Sequence, residues 1–251
     1  MEKKNNAPLI YGIIPARFAS SRFPGKPLVD LGGKTMIQRV YEQCLKSKEL
    51  DKVVVATDDE RIAQNVASFN GEYIMTRPDH ISGTDRIAEL VEKVPDLGYA
   101  INIQGDEPFI EWVLIDALAL ALKNTDAQIV TAAIELKDHN AIFNPNTVKV
   151  VFNQKQEALY FSRSPIPHQR NTPRANWLSQ GQFYQHIGIY GFERNTLLEL
   201  AKAPPGGLEQ QESLEQLRWM EMGKKIYIHL TDKAAIGIDT PEDIAKIQHL
   251  L

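Results

Sequence analysis

Three cationic residues lie in a short polar loop that follows an apolar run near the N-terminus. The string IIPARFASSRFPGKPL places Arg17, Arg22 and Lys26 after isoleucines typical of a buried strand. A cationic loop at the carboxyl end of a first strand indicates a site for a small anionic group, whereas the alternative is a solvated surface loop. The loop is not a Walker motif, because Ser20 stands at the first glycine position and Pro27 follows the lysine. The sequence also has no GxGxxG dinucleotide motif.

Two acids follow a second apolar run, in the string INIQGDEPFI. Asp106 and Glu107 are therefore expected where a strand ends, and carboxylates there suit Mg²⁺, which binds one or two of them together with phosphate oxygens. The alternative is an ordinary polar turn, since Asp and Gly favour turns for conformational reasons. A third acid, Asp239, precedes a predicted helix in GIDTPED. Considered alone, its charge favours a role at the helix N-terminus.

Other residues that could bind a ligand give weaker signals when each is considered alone. The string MTRPDHISGTDR contains polar and cationic residues in a turn that leads into a helix, namely Arg77, Ser82, Gly83, Thr84 and Arg86. Arg163 directly follows a predicted strand, and His186 begins another, where a structural histidine is the favoured interpretation. Cys44 lies on the apolar face of its helix and is interpreted as a core residue.

The string QQESLEQLRWMEMG is interpreted as mostly one amphipathic helix. Leu214 and Leu217 are expected to face the core, so Glu212, Glu215 and Gln216 are by default expected on its solvated side. The helix in DTPEDIAKIQHLL is predicted to have Thr240 as its N-cap, Pro241 as its first residue and Asp243 as a capping-box partner.

Short apolar runs alternate with helical patterns along the chain, which predicts an α/β sheet with helices on both faces. Strands are predicted in the opening run and in KVVVATDD, YAINIQGDEP, QIVTAAIEL, TVKVVF, ALYFS, HIGIYGF and KIYIHL. Helices are predicted around Met36–Leu45, Ile62–Phe69, SGTDRIAELVEKV (with Ser82 or Thr84 as N-cap) and Val113–Leu122, in two segments after HIGIYGF, and at the C-terminus. The segment Ser164–Gln185 is predicted to be a long, functional or disordered loop.

The composition limits the class of protein. A chain of 251 residues, 43% hydrophobic and 24% charged, without an evident linker, indicates one domain over 1–251 with a flexible extension of about seven residues. The net charge of −4 argues against a nucleic-acid-binding protein, and the single cysteine excludes an intramolecular disulfide framework. No apolar run approaches the roughly 20 residues of a membrane helix, and no signal peptide is evident, so a cytoplasmic protein is expected.

Considered together, these strings resemble the 3-deoxy-manno-octulosonate (KDO) cytidylyltransferases, or CMP-KDO synthetases. The matching strings occur in order over nearly the whole chain, and YFSRSPIP, HIGIYGF and LEQLR point to KDO in particular. The resemblance implies a Rossmann-like three-layer nucleotidyltransferase fold of the α/β class, with a mixed central sheet and a smaller sugar-binding and dimerisation part. It also implies transfer of CMP from CTP to KDO for lipopolysaccharide biosynthesis, a Mg²⁺ cofactor and a homodimer.

The resemblance also implies roles for individual residues. The CTP-binding set is Ala16, Arg17, Ser20, Ser21, Lys26, Arg77, Ser82, Gly83, Thr84, Gln104 and Asp106. The sugar-binding set is Gln104, Arg163, His186, Tyr190, Glu212 and Gln216. Asp106 and Asp239 are the implied Mg²⁺ ligands, and with Arg17 and Lys26 they form the implied catalytic set. For Asp239 this replaces the role at the helix N-terminus.

Competing hypotheses remain at this point. CMP transfer to another acid sugar would be distinguished by the sugar-binding residues and not by the CTP loop. A catalytically silent nucleotide sensor is disfavoured because binding alone needs no complete metal site. A nucleic-acid-binding module would need a basic face and an aromatic platform, neither of which the sequence provides.

Overall fold

The computed structural model describes residues 8–19, 23–233 and 237–250. Several of the predictions above, namely those for Ser20, Ser21, Arg22 and the extension 1–7, lie outside the described residues. Within the described part of the chain, no helix combines the length and apolarity needed to span a membrane.

A mixed nine-stranded sheet forms the centre of the protein, as predicted. Its main path runs β3-β2-β1-β4-β8-β5-β9, and β6 and β7 form an antiparallel pair attached to β8. The strands are β1 Leu9–Ala16, β2 Lys52–Thr57, β3 Tyr73–Met75, β4 Leu97–Asn102, β5 Ile129–Glu135, β6 Lys149–Phe152, β7 Ala158–Ser162, β8 Tyr184–Glu193 and β9 Ile226–Thr231. The first four strands are parallel, whereas β8 is antiparallel to both of its neighbours on the main path, β4 and β5.

Helices cover both faces of the sheet and give the expected three layers. One core lies between the sheet and α1, α2 and α4, and the other lies between the sheet and α3, α7 and α9. The helices are α1 Met36–Cys44, α2 Glu60–Ser68, α3 Gly83–Lys93, α4 Trp112–Asn124, α5 His139–Phe143, α6 Trp177–Gln180, α7 Arg194–Leu200, α8 Gly207–Glu212, α9 Glu215–Glu221 and α10 Pro241–Ile247. Cys44 is fully buried in the first core, which confirms its interpretation as a core residue.

Side-chain caps fix the start of two helices near the edge of the sheet that carries the site. Ser82 is the N-cap of α3, since its Oγ accepts from the Asp85 N–H at 3.1 Å and the Asp85 carboxylate accepts from the Ser82 N–H at 3.2 Å. Helix α10 begins at Pro241 as predicted, and the Asp243 carboxylate accepts from the Thr240 N–H at 3.0 Å. These caps satisfy amide groups that the first turn of a helix leaves without partners.

The prediction of one helix over QQESLEQLRWMEMG is wrong. Ser213 has a φ of 51°, in the left-handed region, and it separates α8 from α9, so three helices follow β8 instead of two. Because α9 starts afresh after this turn, Gln216 lies in the interior with 5% exposure and not on a solvated face.

The sequence also missed small elements. Strand β3 and helix α5 were not predicted, and the expected long loop contains α6. Trp177 and Phe183 of this segment pack with Leu136 and Ile142, which precede it in the chain, in a small apolar cluster. The segment is therefore packed and ordered around a tryptophan, which a count of its Pro, Asn and Arg residues did not reveal.

Candidate functional site

A cavity of about 270 Å³ lies at the carboxyl ends of β1 and β4. Strand β1 lies between β2 and β4, and a crevice at such a point of a mostly parallel sheet is where ligands bind in α/β folds. The lining residues are Pro15, Ala16, Arg17, Lys26, Pro27, His80, Ile81, Ser82, Gly83, Arg86, Gln104, Gly105, Asp106 and Asp239. The cavity thus brings together the cationic loop after β1 and the acidic turn after β4.

Lys26 lies at the base of this cavity, with its side chain only 15% exposed. Gly25 has a φ of 72° and its N–H donates to the Phe18 carbonyl at 2.9 Å, which turns the chain into a short 3₁₀ turn over Lys26–Leu28. A side chain at Gly25 would be strained by this φ and would lie 3.1 Å from the Phe18 ring. Glycine therefore permits the turn that directs the lysine inward.

The Lys26 ammonium contacts two carboxylates. Its Nζ donates to Oδ2 of Asp106 at 2.6 Å and lies 3.5 Å from Oδ1 of Asp239. The same Nζ donates to the Ile238 carbonyl at 3.0 Å. One positive charge is thus shared between two acids that are distant in sequence.

A backbone hydrogen bond brings the two acids together. The Ile238 N–H donates to the carbonyl of Asp106 at 2.9 Å, and the Ile238 side chain is fully buried in a small cluster with Leu31, Met36 and Ile247. Apolar packing of the C-terminal segment therefore holds Asp239 beside the turn after β4. Nothing in the local sequence of GIDTPED indicates this contact, which is why Asp239 considered alone resembled a helix-terminal acid.

The donor set around Lys26 fits a hard divalent cation that is also held by phosphate. Two carboxylates approach one positive charge, and within the described residues no group of three or more His, Cys, Asp or Glu side chains forms a metal site. Magnesium commonly binds through one or two carboxylates, with substrate phosphates completing its shell. Asp106 and Asp239 match that pattern.

Glu107 is not part of the cavity lining. Its side chain is buried with 9% exposure, and burial first, then the charge of Asp106, raises the pKa of its carboxyl to about 8. The consecutive acids of the QGDEP string therefore point into different environments, and Asp106 alone of the two faces the cavity.

Most of the expected nucleotide-binding residues meet at the cavity, but two do not line it. Arg77 is exposed, and its Nε lies 3.6 Å from carboxylates of Asp79 and Glu89. Thr84 is buried, and its hydroxyl donates to the Glu215 carboxylate at 2.8 Å on the other side of α3. Their roles in CTP binding remain predictions. By contrast Ala16, Arg17, Ser82, Gly83 and Gln104 line the cavity as expected.

Arg86, which the sequence analysis named in this turn but which the CTP-binding set does not include, also lines the cavity. It is buried with 4% exposure; its Nη1 donates to Thr76 Oγ1 at 2.5 Å and lies 3.3 Å from the Asp58 carboxylate. A buried cation needs such partners. Asp58 follows β2 and Arg86 is on α3, so only the fold could reveal the pair.

Of the expected sugar-binding residues, only Gln104 is among the residues that line the cavity. Gln104 connects the two regions, since its Nε2 donates to the Gly188 carbonyl of β8 at 2.8 Å. On the same strand the His186 and Tyr190 rings are 5.3 Å apart, and burial lowers the pKa of His186 to about 3. The buried Nε2 of Gln216 has no hydrogen-bond partner among the described residues.

Arg163 and Glu212 are bonded to each other's main chain. The Glu212 carboxylate accepts from the Arg163 N–H at 2.9 Å, and Arg163 Nε donates to the Glu212 carbonyl at 2.7 Å. The remaining guanidinium nitrogens donate to the carbonyls of Pro145 at 3.0 Å and Ser213 at 3.2 Å. The sugar-binding roles of both residues remain predictions, because here the guanidinium is engaged by carbonyl groups.

The chain is similar to known cytidylyltransferases over most of its length. Residues 11–226 match the family described as "Cytidylyltransferase". A 3-deoxy-manno-octulosonate cytidylyltransferase of Thermodesulfovibrio yellowstonii is 49% identical over 239 residues, covering 92% of this chain and 94% of the relative. One of Cytophaga hutchinsonii is 45% identical over 242 residues, covering 96% of both chains.

Two solved structures show the same architecture. The structure of CMP:2-keto-3-deoxy-manno-octonic acid synthetase complexed with CTP has a TM-score of 0.90 and 42% identity, covering 96% of this chain and 98% of that one. A 4-diphosphocytidyl-2C-methyl-D-erythritol synthase from Anaerococcus prevotii has a TM-score of 0.63 at 16% identity, covering 96% and 95%, and shows a shared fold. The mixed sheet described above is thus shared with a structure that holds CTP and with one of much lower sequence identity.

Proposed function

This chain belongs to the 3-deoxy-manno-octulosonate cytidylyltransferase family, and from that premise we propose how its cavity carries out the reaction. The protein transfers CMP from CTP to KDO and releases pyrophosphate, in bacterial lipopolysaccharide biosynthesis. The observation that carries the proposal is the contact of Lys26 with both Asp106 and Asp239 inside the cavity after β1 and β4.

In the proposed mechanism the anomeric hydroxyl of the sugar attacks the α-phosphorus of CTP and pyrophosphate leaves in line. Such a transfer depends on positioning and charge stabilisation more than on covalent catalysis. Arg17 at the exposed rim and Lys26 at the base bind the triphosphate and stabilise the negative charge that develops on pyrophosphate. Lys26 does so by exchanging a carboxylate partner for a phosphate oxygen.

Asp106 and Asp239 would hold Mg²⁺ together with the phosphates. When bound, the ion would neutralise phosphate charge and lower the pKa of a nearby hydroxyl. The two carboxylates support this assignment because they already converge on one positive charge. No histidine base is required, and the low pKa of His186 keeps that imidazole neutral at physiological pH.

The sugar is placed beside β8, next to the nucleotide. Gln104 supports this placement because it lines the cavity and bonds to Gly188 of that strand. The buried Gln216 amide offers an unused donor there. Arg163 would pair with the sugar carboxylate after giving up carbonyl partners that it holds in this structure.

A cytoplasmic location and a homodimer complete the proposal. The location follows from the use of CTP, an intracellular nucleotide, and the dimer follows from the family resemblance. Light scattering on the purified protein tests the dimer, and a mass corresponding to one chain at micromolar concentration would contradict it.

Pyrophosphate release from CTP tests the function directly. The assay compares KDO with other acid sugars and with neutral sugars, each with and without Mg²⁺. We expect release with KDO or a close analogue only when the metal is present. Equal turnover of neutral sugars would overturn the substrate assignment, and full turnover in the presence of a chelator would overturn the metal assignment.

A further inference from the structure

The loop between β3 and α3 is a shared wall between two cavities. A second cavity of about 280 Å³ lies between this loop, α3 and α7, and His80 and Ile81 line both cavities. Ile81 as a whole is 88% exposed, whereas the side chain of His80 is only 5% exposed. A loop that is not held by apolar packing needs other fixed contacts if the cavity that it lines is to keep its shape.

Glu89 of α3 provides those attachment points from the side opposite the nucleotide. Its Oε2 accepts from the Arg77 N–H at 3.0 Å and contacts His80 Nε2 at 2.5 Å, so two positions of the loop meet at one oxygen atom. Its Oε1 accepts from Lys93 Nζ at 2.7 Å, one helical turn further along α3. The carboxylate is thus oriented by the helix and bonded to the loop.

The hydrogen bonds that the Glu89 carboxylate accepts keep it ionised. Partial burial alone would raise the pKa of Glu89, but the hydrogen bonds from Lys93, the Arg77 N–H and His80 lower it to about 2. Since the carboxylate is ionised, Nε2 of His80 carries the proton and donates. Charge-assisted hydrogen bonds of this kind are stronger than neutral ones.

The end of the loop is fixed independently by the capping box of Ser82 and Asp85. Between that cap and the Glu89 contacts, the residues facing the nucleotide cavity are His80 and Ile81. Loss of the Glu89 contacts would therefore release this part of the wall while leaving α3 capped and its apolar face buried.

From this arrangement we infer that Glu89 and His80 are positioning residues for CTP, which hold the β3–α3 loop in the shape that the nucleotide requires. The inference rests on the proposed function, because it takes the cavity of Lys26 and Asp106 to be the CTP site. Glu89 does not line that cavity, so its effect is transmitted through the loop. The sugar-binding residues of β8 and α9 are outside this network and should be unaffected.

The test compares Glu89→Gln with Glu92→Gln. Glu92 is exposed, lies on the same helix and lines the same second cavity, but has no hydrogen bond to the loop among those identified in the described residues. We expect Glu89→Gln to raise the KM for CTP about tenfold, with kcat and the KM for the acid sugar each within about twofold. The control variant should leave all three values within about twofold of the wild type.

A second variant guards against a simple loss of folding. His80→Gln keeps a hydrogen-bond donor of different length, and it should raise the KM for CTP in the same direction. The double variant should cost less than the product of the two single effects, because both remove the same contact. Melting temperatures without nucleotide show whether α3 remains folded.

The outcomes separate this inference from the function on which it rests. A wild-type protein that releases no pyrophosphate from CTP with any acid sugar would refute the proposed function. With an active wild type, an unchanged KM for CTP in both single variants would overturn the inference. Equal increases in the KM of both substrates would also overturn it, since that result indicates a general structural role.

Discussion

The ammonium group of Lys26 donates to the carboxylate of Asp106 over 2.6 Å. A residue expected to bind the triphosphate is therefore in contact with one expected to bind the metal. Asp239, 3.5 Å from the same nitrogen, makes this a three-charge cluster of one cation and two anions. The first two predictions below follow from removing one member of this cluster at a time.

Removal of the cation should affect both binding and stability. In Lys26→Ala, Asp106 and Asp239 lose their shared positive charge, so we expect a lower melting temperature without metal and strongly weakened CTP use. Added Mg²⁺ should recover the melting temperature more than the activity. Lys26→Arg should be a poor replacement, because a planar fork does not reproduce a compact ammonium in this turn.

The matched control for this prediction is Lys34→Ala, which removes an exposed lysine paired with Glu42. Exposed pairs of this kind contribute little to stability. Thermal unfolding and pyrophosphate release are measured on each protein with and without Mg²⁺. Unchanged CTP kinetics in Lys26→Ala would show that the loop after β1 is not a phosphate site.

Asp239→Asn keeps the size of the side chain and removes its charge. The carboxylate side chain is 55% exposed, so we expect a melting temperature without metal close to that of the wild type. The activity should fall at least about 100-fold, equivalent to about 2.7 kcal/mol of transition-state stabilisation, with only partial recovery in excess Mg²⁺.

Asp126→Asn, at another exposed aspartate, provides the comparison for Asp239→Asn. Its activity and melting temperature should both match the wild type. Full activity together with lowered stability in Asp239→Asn would return that residue to a role at the start of α10. Asp106 would then lack its proposed partner.

Arg163→Ala should weaken binding of the acid sugar and also lower the stability of the fold. We expect the KM for the acid sugar to rise more than the KM for CTP, because the guanidinium would pair with the sugar carboxylate. The same change removes hydrogen bonds to three carbonyls, which should lower the free energy of unfolding by about 2 kcal/mol. Kinetics with each substrate varied, and urea unfolding, measure the two parts. A larger rise in the KM for CTP would place Arg163 in the nucleotide site.

His186 should make stability sensitive to acid without affecting catalysis near neutral pH. Burial lowers the pKa of its imidazole from about 6.5 to about 3, so the folded protein keeps it neutral while the unfolded chain takes up a proton. The free energy of unfolding therefore falls as the pH drops from about 6.5 toward 3. His186→Gln should show a shallower fall over this range. An identical pH dependence in both proteins would contradict the shifted pKa.

The sequence predicted the layers and the polar ends of strands well because both depend on local patterns. Alternating apolar runs indicated β1, β2 and β4, and Pro241 together with Ser82, one of the two N-cap candidates for α3, marked helix starts. Contacts between residues distant in the chain could not be predicted from such local patterns. The pairing of Arg86 with Asp58, and the contact of Ile238 with Asp106, join segments that carry no mutual signal.

The wrong prediction of one helix over QQESLEQLRWMEMG and the wrong placement of Gln216 on its solvated side have the same cause. The pattern of Leu214 and Leu217 fits one helix, yet Ser213 adopts a left-handed conformation that serine seldom favours, and the helix ends there. Arg163 contributes to this turn, since it bonds to the carbonyls of Glu212 and Ser213 from another element. Tertiary contacts thus override the local helical preference, and only the resemblance to a known family directed attention to Gln216.

The position of β8 has a consequence for the order in which the protein is assembled during synthesis. Residues 184–193 lie between β4 and β5, both of which are translated earlier, and β5 pairs on its other side with residues 226–231. Until that part of the chain leaves the ribosome, two apolar strands have unpaired edges of the kind that associate with other chains. The central sheet is therefore completed only after residues 226–231 have been synthesised, late in the chain.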